Sequence, residues 1–299
     1  MTISETQFDT WAQLGPTPQF VTTYNSIRTT LFDSKSPYYS RNFDVHLQGS
    51  YGNDTNVRGD SDVDIVIWTK ETFDYDIDQL PDDQKAAFNR DFSSVPSAGP
   101  SFKSEVVSWL RTNYGSDVDP GRKAIHLKAT SYRRAADVVA CVEHRRYYRY
   151  VGNTDAGQGF HLGVCFHTAD GTKITNFPKE HQKYCTTMHQ AAGSYFKPTI
   201  RIFKNMRNRM IEKGIIQKSL APSYFIEGML WNVPNAKFGT SYQSTVVNCL
   251  NWLHSCNRTE LKCANQMYYL LRDSAHNCWP PAHFEAFLAA SIKFYNDGG

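Results

Sequence analysis

Asp62-Val63-Asp64-Ile65-Val66-Ile67-Trp68 is the stretch that decides the fold. Apart from its two acids it is a β-prone run. In a strand residues two apart point to one face, so Asp62 and Asp64 look one way while Val63 and Ile65 look the other. Two like charges side by side on an apolar strand repel, which costs stability unless a cation neutralises them. Magnesium suits such a position, because it takes oxygen ligands from one or two carboxylates and completes its shell with phosphates and water. Asp-x-Asp also occurs at strand starts and turns, so the pair needs company before it reads as a site.

That company lies on both sides. Upstream, Gln48-Gly49-Ser50-Tyr51-Gly52 closes another apolar run. Glycine lets the backbone approach a phosphate closely, and the turn or helix start that follows would aim N–H groups at it. Downstream, Ala135-Ala136-Asp137-Val138-Val139-Ala140-Cys141 carries one acid in a strand that should be buried. Three aspartates from two neighbouring strands can hold two ions about 3.5–4 Å apart, one activating an attacking hydroxyl and the other on the triphosphate and its leaving group. Asp137 belongs with the first of these and with the proton that the hydroxyl gives up. Asp54 and Asp60 read as turn formers and stay outside the site.

The rest of the chain supports an enzyme of two lobes. Its 299 residues are 40% hydrophobic and 14% aromatic, enough for a sizeable core and against disorder. A net charge of +3 gives no field able to hold long duplex DNA or an anionic membrane. The first residues lack the basic start and apolar run of a secretory leader, and no apolar stretch is long enough to span a bilayer, so a cytoplasmic protein without membrane attachment is expected. The seven cysteines show no paired metal-ligand spacing and read as reduced thiols. Cys249, His254 and Cys256 stay open as a metal group, although their spacing suits helix packing better.

Short β-prone runs at 43–48, 62–68, 123–129, 137–142, 146–151 and 160–166 alternate with helical segments, punctuated by turns at Pro81-Asp82-Asp83, Ser97-Ala98-Gly99-Pro100, Gly152-Asn153 and Asp170-Gly171. Beyond Phe177 the period becomes helical over 180–192, 198–213, 222–231, 241–254 and 284–295. The expected fold is therefore α+β, a mixed-sheet catalytic lobe over 1–170 with an N-terminal helical segment, then a helical lobe over 171–299. A cleft between two such lobes is where small ligands usually sit. His144-Arg145-Arg146-Tyr147-Tyr148-Arg149-Tyr150 could stack on single-stranded bases. Strand alternation is the plainer account, with Arg146, Tyr148 and Tyr150 on one face and Arg145, Tyr147 and Arg149 on the other.

Gly49-Ser50, Asp62-Val63-Asp64 and Asp137 together resemble the nucleotidyltransferase superfamily of DNA polymerase β type. Leu47-Gln48-Gly49-Ser50-Tyr51-Gly52-Asn53-Asp54-Thr55, with Ser61-Asp62-Val63-Asp64-Ile65-Val66, resembles more narrowly the bacterial cGAS/DncV-like nucleotidyltransferases of anti-phage operons. Pro198-Thr199-Ile200-Arg201-Ile202-Phe203-Lys204 and Pro222-Ser223-Tyr224-Phe225-Ile226-Glu227 are similar to paired helices of the oligoadenylate synthetase and cyclic GMP-AMP synthase relatives. The resemblance implies Asp62, Asp64 and Asp137 as metal-binding catalytic residues for two Mg2+ ions, with Mn2+ as an alternative. It implies Gly49 and Ser50 as triphosphate ligands, Gln48 as a contact to the donor nucleotide, Lys204 and Ser223 on the triphosphate tail, and Tyr224 stacked on a base. On the helix over 198–213, Arg201, Lys204 and Asn208 share a polar stripe beside buried Phe203, Met206 and Met210.

The implied activity joins nucleoside triphosphates, by default ATP or GTP, into a cyclic di- or trinucleotide second messenger, with pyrophosphate released at each step. The implied enzyme is a monomer that needs no long DNA. A regulatory partner protein and a downstream effector of the product are its implied partners. Two other readings stand beside this one: transfer of a nucleotidyl group to RNA, protein or a small molecule, as in toxin-like relatives, and a catalytically silent nucleotide-binding module. The presence of all three carboxylates argues against the last.

Overall fold

The computed structural model describes residues 2–15, 17–58, 62–92, 99–273 and 277–299. In chain order the main elements are α1 (Glu5–Ala12), α2 (Pro18–Leu31), β1 (Phe43–Leu47), α3 (Gly49–Gly52), β2 (Val63–Asp76), α4 (Asp82–Asp91) and α5 (Gly99–Tyr114). Then come β3 (Val118–Pro120), β4 (Ile125–Leu127), β5 (Ala136–Tyr150), β6 (Gln158–His167) and β7 (Lys173–Asn176). The helices α6 (Pro178–Ala191), α7 (Phe196–Glu212), α8 (Ser223–Trp231), α9 (Tyr242–Ser255) and α10 (Pro281–Asn296) follow. The α+β architecture and the change from sheet to helix are as the periodicity predicts. Two expectations change at the turns. Asp82 and Asp83 form the acidic first turn of α4 behind Pro81, where they complement the helix dipole, and Gly99 and Pro100 open α5. Ser97, Ala98 and Asp60 lie outside the described residues.

The chain forms two compact units, and each is discontinuous. One consists of Thr17–Gln48 and Ser61–Lys179, the other of Met1–Pro16, Gly49–Asp60 and Glu180–Gly299. A single seam near residue 170 was expected. Instead the first turns of the chain and the Gly-Ser segment belong with the C-terminal helices, because their polar backbone is bonded by side chains of that unit.

The sheet unit holds seven strands in the order β1-β2-β5-β4-β3, with β6 beside β5 and β7 beside β6. Among the described strands β2 and β5 run parallel to each other, and the remaining pairs are antiparallel. Val63 and Ile65 through Trp68 are all buried, so this part of β2 is covered on both faces. The two expected strands at 137–142 and 146–151 are one long β5, which bonds β4 near its start and β6 further on. The even alternation expected of its Tyr and Arg residues breaks at a bulge between Tyr147 and Arg149. Tyr147 and Tyr150 are consequently both buried, with Leu80 and Phe88, while Tyr148 is 54% exposed. Arg145 lies 4.1 Å over Phe73 and pairs with Glu143, and Arg146 pairs with Asp76. Those two arginines are held inside the sheet unit.

The helical unit packs α1 and α6–α10 around Phe8, Phe196, Phe203, Met206, Leu253 and Trp279, all fully buried. No described helix is long and apolar enough to cross a membrane.

His46 of β1 sits edge-on to Trp68 at 4.3 Å with neither ring nitrogen hydrogen-bonded. Burial, helped by the Lys179 charge, pushes its pKa from 6.5 down to about 4. The unfolded chain therefore takes a proton that the folded chain refuses between these values. Stability should be full above pH 6.5 and fall as the pH drops towards about 4. Urea unfolding across this range should show a shallower acid slope for His46→Phe than for the parent chain.

Candidate active site

The parallel register of β2 and β5 places Asp64 directly opposite Asp137, between the apolar pairs Val63–Ala136 and Ile65–Val138. Asp62 immediately precedes β2, two residues from Asp64 and so on the same face, and it is exposed. Asp64 and Asp137 are half-buried, while Val63, Ile65, Ala136 and Val138 beside them are buried. Asp137 is also the register partner of His126 in β4, whose Nδ1 lies 3.0 Å from Asp137 Oδ1.

The three carboxylates do not bring their oxygens all within 4.8 Å of one another. Among the described residues the group of His, Cys, Asp or Glu that brings its ligand atoms within 4.8 Å of one another is His181, Cys185 and Glu227. Like charges hold apart until a cation neutralises them, and Asp137 has His126 on one oxygen. An all-oxygen donor set, carried by adjacent strands in this register, fits divalent magnesium or manganese. The open metal group of Cys249, His254 and Cys256 is not formed among the described residues; Cys249 is fully buried and the Cys256 sulfur is engaged by Arg258.

Gln48 follows β1, and its N–H donates to the Asp64 carbonyl at 3.0 Å. Its side-chain Oε1 is buried without a hydrogen-bond partner, an acceptor suited to a ligand donor. Gly49 has φ 70°, a left-handed conformation that favours glycine, and starts the short α3. The Ser50 carbonyl accepts from the Thr55 N–H at 2.8 Å, and the Gly49 carbonyl accepts from the Asn53 N–H. The segment is thereby folded into a compact turn.

Side chains of the helical unit grip that turn. Gln182 Nε2 donates to the Gly52 carbonyl at 2.7 Å, Lys197 pairs with Asp54 at 3.0 Å, and Arg201 donates to the Asp54 and Ala12 carbonyls. Lys204 is fully buried and donates to the Thr55 carbonyl at 2.8 Å. Glu227, 3% exposed, accepts from Asn53 Nδ2 at 3.1 Å, from Thr55 Oγ at 2.6 Å and from His181 Nε2 at 2.6 Å. Arg201 and Lys204 thus do not form the solvated stripe that the helix period suggested. They are buried because main-chain carbonyls of neighbouring segments need donors.

The roles expected of Ser223 and Tyr224 meet similar competition. Ser223 Oγ accepts from Arg207 at 3.0 Å. The Tyr224 ring stacks on His181 with centroids 5.1 Å apart, and its hydroxyl accepts from Asn265. His181 thus covers one face of the Tyr224 ring.

His126, His181, Asn53, Thr55 and Glu227 escaped the sequence reading. Glu227 carried the same signal as Asp137, an acid inside an apolar run, Phe225-Ile226-Glu227-Gly228-Met229. His126 had no such signal, since only the β4–β5 register brings it to Asp137.

A glycine-serine turn, an Asp-x-Asp strand and a third aspartate aligned on the parallel neighbouring strand are together the frame of a metal-dependent nucleotidyltransferase. Residues 183–296 match the model of the cGAS/DncV-like nucleotidyltransferase C-terminal helical domain. The chain is 34% identical to cyclic nucleotide synthase CdnE01 of Staphylococcus haemolyticus, over 99% of this chain and 100% of that one. It is 36% identical to the cyclic UMP-AMP synthase of Rhodothermus marinus, over 89% and 88%. The solved structure of the Rhodothermus marinus CdnE c-UMP-AMP synthase with Apcpp and Upnpp superposes with a TM-score of 0.85 at 33% identity, covering 99% of this chain and 98% of that one. The chain belongs to the cGAS/DncV-like nucleotidyltransferases.

Burial opposes a charged His181, but its Cys185 and Glu227 partners outweigh that and push its pKa from 6.5 up to about 10, while Glu227 is lowered by His181 and Lys204 against its own desolvation. The ionised pair contributes stability that is fully present below pH 6.5 and is lost as the pH rises towards about 10. The stability difference between the parent chain and His181→Gln should therefore shrink from pH 6 to pH 10, as measured by urea unfolding.

Proposed function

We propose that this enzyme converts nucleoside triphosphates into a cyclic di- or trinucleotide, releasing pyrophosphate at each step. The alignment of Asp64 with Asp137 across parallel strands carries the reading, because it sets acids of two strands side by side in a frame that is otherwise apolar. The relatives named above as cyclic nucleotide synthases point the same way.

Asp62, Asp64 and Asp137 would hold two Mg2+ ions, or Mn2+. Bound there, the ions would neutralise the carboxylates and the triphosphate and lower the pKa of the attacking hydroxyl. Asp137 takes the proton from the acceptor's ribose hydroxyl, with His126 fixing its Oδ1. The hydroxyl oxygen then attacks the α-phosphorus of the donor, and the bond to pyrophosphate breaks in line with it. A second step of the same kind closes the ring. Gly49 and Ser50 contact the triphosphate, and the unpartnered Gln48 Oε1 accepts from the donor nucleotide. Lys204 and Ser223 hold the triphosphate tail.

The product serves as a second messenger in bacterial anti-phage signalling, read by an effector, in a monomeric cytoplasmic enzyme under the control of a partner protein. ATP and GTP are the default substrates, and the name of the Rhodothermus marinus relative adds UTP to those worth testing.

Pure protein incubated with Mg2+ and all four labelled ribonucleoside triphosphates should yield a small phosphatase-resistant product whose mass gives its bases and ring size. Label appearing only on added RNA or protein would favour transfer to another acceptor. Asp62→Asn/Asp64→Asn should lower product formation by at least about a thousandfold, the loss expected when charge stabilisation of the transition state is removed.

A further inference from the structure

Glu227 is the point where, within the helical unit, α8 meets the Gly-Ser turn. Its carboxylate is buried yet satisfied, with Thr55 Oγ on one oxygen and Asn53 Nδ2 and His181 Nε2 on the other. A carboxylate out of water is tolerated only when bonds of this kind replace its hydration. Lys204 bonds the same residue, Thr55, through its carbonyl, so Thr55 is held from its side chain and from its main chain at once. The Thr55 N–H in turn donates to the Ser50 carbonyl. A continuous set of bonds therefore runs from Glu227 through Thr55 to Ser50.

We propose that Glu227 is a positioning residue for triphosphate binding. It fixes Thr55 and Asn53, these fix the turn that presents Ser50, and Lys204 acts in the same hub through the Thr55 carbonyl. In this role Glu227 and Thr55 act through Ser50 and not on the phosphate themselves. The inference rests on the assignment of Ser50 to the triphosphate. It adds that the geometry of Ser50 is set by one buried carboxylate on α8, so that binding is tuned from within the helical unit.

Thr55→Val keeps the shape and the carbonyl but removes the hydroxyl donor to Glu227, and Thr55→Ser restores it. Calorimetry with Mg2+ and a non-hydrolysable ATP analogue, together with initial rates against nucleotide concentration, tests the idea on the full chain. Thr55→Val should bind the analogue about tenfold more weakly, the value of one hydrogen bond to a charged group, with KM raised more than kcat is lowered. Thr55→Ser should behave as the parent. Glu227→Gln should weaken binding at least as much, and Thr55→Val/Glu227→Gln should be no weaker than Glu227→Gln alone, because both act through one contact. Parent affinity in a folded Thr55→Val, or no rescue by Thr55→Ser, would overturn the proposal even if Glu227→Gln fails to fold. Ser50→Ala separates the two ideas: unchanged analogue binding there would defeat the assignment of Ser50, whereas weakened binding in Ser50→Ala with none in Thr55→Val would defeat only the role of Glu227.

Discussion

The parallel pairing of β2 with β5 is the constraint on which the catalytic reading depends. Side chains of a strand alternate, so a slip of one residue would turn Asp137 to the opposite face and set Val138 opposite Asp64 in its place. The register is protected by what surrounds it. Val63, Ile65, Ala136 and Val138 are buried to the last few square ångströms, and a slipped strand would expose them together. The apolar neighbours of the acids are thus the reason that the acids align.

A different solution operates in the helical unit, where the problem is to hold a loop. The Gly-Ser turn carries backbone carbonyls and polar side chains that would otherwise need water. Lys197, Arg201, Lys204 and Glu227 supply charged partners instead, all four buried. Each buried charge is costly to desolvate, and the cost is offset only where several bonds converge, as they do at Glu227. Such a network fixes one geometry sharply but gains little stability for the number of charges involved.

Much of this was legible in the residues. The strand around Asp62 and Asp64, the lone acid at Asp137 and the helical period beyond Phe177 each show in local pattern, and each is found where local pattern put it. Long-range pairing left less trace. The polar residues of α7 follow a surface-like period, yet Arg201 and Lys204 are buried, because the groups they satisfy lie about 150 residues away at Asp54 and Thr55. The bulge near Tyr148 likewise depends on the register with β6 and breaks an alternation that reads as regular. Tyr224 looked available for a base, and only the folded chain shows His181 stacked on it.

The two units trade pieces along the chain, with residues 1–16 and 49–60 belonging to a body whose bulk is 180–299. During synthesis those early pieces emerge long before the helices that will bond them, and loop closure over such separations is slow compared with local folding. On the ribosome the Gly-Ser segment therefore waits, its carbonyls facing water, until Lys204 and then Glu227 have been made. The Gly-Ser turn is among the last parts to acquire its shape, and a nascent or prematurely terminated chain is born without it.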